Sequence, residues 1–212
     1  MLAAENAKAE SARDEAVQAM ALGQKKLIKV LKSSKSTEFA RAKACQRLAV
    51  MGTKEAVPAL SALLTHPKMA HYARFGLEPI PDPSVDDALR RALGQLEGGL
   101  LIGVINSTGQ RRDAKAVEAL AKLAEDSDTE VAAAAAAALG RIGTPESAGV
   151  LEKVLTHTKK VAGACLDCAE RLLSQDNKEP AVALCGALLQ RSDLPEGLRV
   201  LATRLKEPSG SP

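Results

Sequence analysis

Aromatic side chains are almost missing from this 212-residue chain, which has no Trp, one Tyr and two Phe. Base-stacking platforms and aromatic ligand cages are therefore poorly supplied, and leucine and alanine must build the core. An excess of one charge is missing too. With 29 Lys+Arg against 26 Asp+Glu the net charge is +3, which gives little long-range pull toward phosphate backbones or anionic lipid. No apolar run is long enough to span a bilayer, and the longest, Val131 to Leu139, is mostly alanine. Met1 to Glu10 carry Glu5 and Glu10 without an apolar stretch, so they do not resemble a secretion signal. The expectation is a soluble chain, cytoplasmic if complete as given. Four cysteines are too few for a disulfide framework. Alternation of apolar and polar residues is absent over any useful length, which excludes strands.

What is present is repetition. Ser127 to Leu155, SDTEVAAAAAAALGRIGTPESAGVLEKVL, reads as one helix-turn-helix unit. Ser127 and Glu130 have capping-box spacing, Gly143 suits a left-handed helix end, and Thr144-Pro145 supplies an N-cap and a first-turn proline. The second-helix leucines of such units fall at Leu31, Leu60, Leu89, Leu120, Leu151 and Leu184, at spacings of 29, 29, 31, 31 and 33. A period near thirty with one helix pair per repeat predicts an all-α chain of about six stacked helix pairs, an α-solenoid. A single repeat domain is expected over 1–207, with capping helices at 1–35, core repeats at 36–190, a final capping helix at 191–207 and a flexible tail at 208–212.

AVPAL at Ala56 to Leu60 and ALGRIGTPESAGVL at Ala138 to Leu151 resemble HEAT repeats of the short bacterial kind related to phycobilisome-lyase repeats. The resemblance implies a right-handed α-solenoid with first helices on the convex side and second helices on the concave side. HEAT-like repeats often carry an arginine soon after the valine that opens the first helix. Here Val131 is followed by alanines, so close alanine packing is expected to replace a polar ladder in that unit.

The most individual stretch is HPKMAHYARFGLEPIPDP, His66 to Pro83, with two of the three histidines and the only Tyr. On a helix, Met69, Tyr72, Ala73, Gly76, Leu77 and Ile80 form the core stripe. His71, Arg74, Phe75 and Glu78 gather on the other side. They fit a binding surface, a charged outer face or polar stitching between repeats, and Phe75 fits core between repeats as well. The H-x-x-R-x-x-L-E spacing resembles segments of similar HEAT domains, where it is a variant of the repeat. Asp82 or Ser84 is placed to cap the following helix. In the next unit, closed by Gly109, Asn106 and Asp113 are placed to hold loop backbone groups, with Arg111 and Arg112 between them. His71, Arg74, Phe75, Glu78, Asn106, Arg111 and Arg112 are the candidate binding residues.

Chemistry finds little support. Cys165-Leu-Asp-Cys168 lies on an apolar stripe with Val161, Ala164, Ala169 and Leu172, where cysteine acts as a small hydrophobe. A zinc site there would need two more ligands, and only His157 and Cys185 offer themselves. No metal and no cofactor are expected. The lysines at 25, 26, 29, 32 and 35 read as a solvated helix face. There is no G-x-S-x-G, H-E-x-x-H, P-loop or strand-borne dinucleotide pattern. The reading is a noncatalytic scaffold or protein-interaction module that engages another protein or another domain of a longer parent chain. Its alternatives are a chromophore-lyase-like role, implied by repeat kinship alone, and nucleic-acid binding.

Overall fold

A computed structural model of the chain describes residues 10–155 and 161–207, except 12 and 16. The start of the expected N-terminal capping helix, His157 and the tail at 208–212 lie outside the described residues. Every regular element among them is helical, so the chain is all-α. From Gln24 onward the α-helices are, in order, α1 (Gln24–Lys32), α2 (Glu38–Met51), α3 (Val57–Ser61), α4 (Ala70–Leu77), α5 (Pro83–Leu93), α6 (Gly98–Arg111), α7 (Val117–Leu123), α8 (Thr129–Ile142), α9 (Pro145–Leu155), α10 (Ala162–Ser174), α11 (Lys178–Leu189) and α12 (Glu196–Lys206).

Side chains stop and start these helices at residues typed for the task. Thr37 accepts from the Ala40 N–H at 3.1 Å to open α2, and Asp82 accepts from the Ser84 N–H at 3.0 Å ahead of Pro83 in α5. Thr144 accepts from the Ser147 N–H at 3.2 Å to open α9. Gly143 is left-handed at φ 63°, as the sequence requires of a helix end that turns within two residues. The start of α8 differs from expectation: Asp128, not Ser127, is the N-cap, and its carboxylate accepts from both Glu130 and Val131. A charged acceptor one residue later reaches the orphan N–H groups directly. Gly52 breaks the chain where Gly143 does but is extended at φ −70°, and a Cβ there would lie 2.4 Å from the Leu48 carbonyl oxygen.

By their contacts the residues group into two compact units, Met1–Val104 and Ile105–Pro212. Spacing reads the local period and carries no information on how contacts group. Within the first unit, α2 packs on α4, while α1 packs on α3 and α3 on α5. Within the second, α8 packs on α10 and α10 on α12, while α7 packs on α9 and α9 on α11. First helices thus lie against first helices and second against second, which is α-solenoid stacking inside each unit. All six repeat leucines, Leu31, Leu60, Leu89, Leu120, Leu151 and Leu184, are buried. Burying a leucine contributes about 1.5–3 kcal/mol, so this row is a main source of cohesion between layers.

Candidate functional site

In the first unit the exposed surface of α2 and α4 carries both phenylalanines of the chain. Phe39 is 46% and Phe75 50% exposed, so Phe75 is not core between repeats. The Lys43 Nζ stands 5.6 Å from the centroid of the Phe39 ring. His71 is exposed and meets the Tyr72 ring edge to face at 5.6 Å. Met69, Ala73, Gly76, Leu77 and Ile80 are buried as the helical stripe predicts, with Tyr72 half-buried.

Arg74 does something else. Half-buried, it donates through Nη1 to the Gly103 carbonyl of α6 at 3.1 Å. A Cβ at Gly103 would lie 2.6 Å from the guanidinium carbon, so glycine makes the seat that the arginine occupies. Burial lowers the Arg74 pKa, and the nearby Glu78 carboxylate acts against that shift. Of the four residues gathered on one face by the sequence, His71 and Phe75 face solvent. Arg74 stitches first helices together, with the half-buried Glu78 beside it electrostatically.

The second unit builds its site from close helix contacts. A Cβ at Gly109 would lie 2.7 Å from the Ala138 Cα, and one at Gly140 would lie 2.5 Å from the Ala164 carbonyl oxygen. The backbones of α6, α8 and α10 therefore approach one another through glycines. Gly109, expected to close its helix, lies inside α6 and serves packing instead. Asn106 is also mid-helix, where the neighbouring backbone is already paired. Its Oδ1 accepts from the Arg141 Nη2 of α8 at 3.0 Å in place of the loop contact expected of it. Asp113 does hold the loop, accepting from the Lys115 N–H at 3.1 Å. Arg112 ends α6 in the left-handed region at φ 58°, exposed, while Arg111 is half-buried.

Above these contacts is a cleft of about 310 Å³. Its charged walls are Arg112 from the end of α6, Arg141 from α8, and Asp167, Glu170 and Arg171 from α10. The Arg171 methylenes cover Gly143, and the Nε atoms of Arg141 and Arg171 are buried without an acceptor among the described residues. Sequence reasoning found Arg112 and missed the others. The available signal was Gly109 and Gly140, one 31-residue repeat apart and each followed one or two residues later by polar side chains.

Cys45, Cys165, Cys168 and Cys185 are free and buried. Burial pushes the thiols of Cys45, Cys165 and Cys168 up to about 12 and raises Cys185 as well. Among the described residues no cluster of His, Cys, Asp and Glu has a metal-holding arrangement. No helix of the described residues is long and apolar enough to cross a membrane.

Residues 88–166 match the family model for HEAT repeats. That stretch is a HEAT-repeat segment. The matched HEAT segment contains Leu89, Leu120 and Leu151, three of the buried marks that set the period. It places this segment among HEAT repeats at large, without the relation to phycobilisome-lyase repeats that the resemblance implied. No curated protein matches the chain. HEAT repeats commonly act as scaffolds and protein-interaction modules.

Proposed function

We propose that this protein is a noncatalytic HEAT-repeat interaction module whose exposed first-helix surface engages another protein or another domain of a longer parent chain. The observation that carries the reading is the position of its two phenylalanines. A chain with so few aromatics leaves both about half exposed on adjacent helices, while alanine and leucine fill its core. Aromatic residues are enriched at protein interfaces, and completing the burial of two rings supplies a large share of a modest interface. Exposed His71 and the Lys43 ammonium beside Phe39 furnish a polar rim.

The test is affinity capture with partner identification, using the intact chain and a Phe39→Ala/Phe75→Ala variant side by side. A partner held by the first and released at least tenfold by the second supports the reading. Melting should shift little, since surface changes cost within about 0.5 kcal/mol. A partner retained equally by both proteins removes this surface from the interaction.

A further inference from the structure

The cleft over α6, α8 and α10 is the most built polar feature of the second unit. Three arginines from three successive first helices reach it, and two carboxylates from α10 stand among them. Among the described residues the guanidinium groups of Arg112 and Arg171 make no hydrogen bond or ion pair, whereas Arg41, Arg74, Arg141, Arg191 and Arg199 each donate to a protein acceptor. Arg141 is held in place by Asn106. Arg171 is held by its methylenes on Gly143. Of the two arginines without a protein acceptor, Arg171 is therefore oriented before any ligand arrives, which lowers the ordering cost of binding.

The charge pattern selects among ligands. Guanidinium forks match carboxylates and phosphates in geometry. A continuous phosphate backbone would bring charge against exposed Asp167 and Glu170, which repel it. A peptide segment carrying an acidic and a basic side chain meets both signs: carboxylate on Arg112 and Arg171, ammonium or guanidinium on Asp167 and Glu170.

We infer that this cleft is a docking site for a mixed-charge peptide segment of a partner protein, with Arg112 and Arg171 reading its carboxylate. The inference rests on the interaction-module reading and places a second contact in the other unit, separate from the phenylalanine surface.

The experiment is selection of displayed random twelve-residue peptides on the intact chain, followed by affinity measurement on variants. Enriched peptides are expected to carry both acidic and basic residues, and to bind Arg112→Gln/Arg171→Gln at least tenfold more weakly while the melting temperature is kept. Asp167→Lys/Glu170→Lys, at exposed positions, tests the same site without disturbing packing. It should shift the selection toward purely acidic peptides. Two results overturn the inference: no enrichment over the naive library, or enriched peptides that ignore both variants. Peptides insensitive to the arginine changes but lost on Phe39→Ala/Phe75→Ala would remove the cleft and keep the interaction-module reading.

Discussion

Single residues in this protein are legible through what a methyl group would meet. Gly140 and Gly149 are both helical glycines, yet the same substitution should act on them with opposite sign. A Cβ at Gly140 enters the Ala164 backbone, and Gly140→Ala should destabilise by about 1–3 kcal/mol through overpacking. Nothing lies within 4 Å of a Cβ at Gly149, and Gly149→Ala should stabilise by about 0.4–1 kcal/mol by restricting the unfolded chain. Denaturant melts of the two variants check the pair. Leu120→Ala and Leu151→Ala remove buried repeat marks and should each cost about 2–5 kcal/mol.

The cysteines give a residue-scale prediction in pH. Their thiols ionise near 9.0 when solvated, and burial holds three of them at about 12. The folded state keeps the proton that the unfolded state loses, so this contribution to stability is complete below pH 9 and is lost as pH rises from 9 toward 12. Unfolding free energy should therefore fall across that window. Replacing Cys165 and Cys168 by Ala should flatten the slope, and a slope unchanged by the replacement would locate the alkaline loss elsewhere.

At the scale of elements, helix ends carry most of the polar design. Asp128, Thr144 and Asp82 close N-termini, while arginines close C-termini: Arg41 donates to Ser33 past the end of α1, Arg191 to Leu155 at the end of α9, and Arg199 to Leu189 and Arg191 past α11. Asp128→Ala should cost about 1 kcal/mol, and Ser127→Ala much less, which separates the structural cap from the one that spacing alone suggested. A hydrogen-exchange measurement of the first turn of α8 reports the difference locally. The turn chemistry of this segment was legible to within one residue, because capping types and proline placement act over three or four positions. Contacts across repeats were not. Asn106 has the composition of a loop residue, and only the approach of α8 shows that it accepts from Arg141.

For the whole molecule, periodic leucines were enough to read the helix pairs and their stacking, since a mark that must be buried in every repeat fixes the register of every repeat. A far-ultraviolet circular-dichroism spectrum should show helix and no strand. The grouping into two units and the cleft of the second were not readable, because both depend on distances between residues one or two periods apart. The candidate binding residues were partly readable for the same reason. Exposed Phe75 and His71 follow from helical phase, whereas the inward turn of Arg74 toward Gly103 depends on a neighbour 29 positions away.

That glycine spacing also governs how such a chain can change length. Gly109 receives α8 and Gly140 receives α10, each by leaving out the one atom that would hold the next backbone off. A gene duplication that copies 31 residues sets a new glycine where the copied helix arrives, so the added length finds its place already cut. A copy that shifts the glycine out of register with the arriving helix turns a side chain into that gap. Growth by whole helix pairs is then the route that keeps these close contacts.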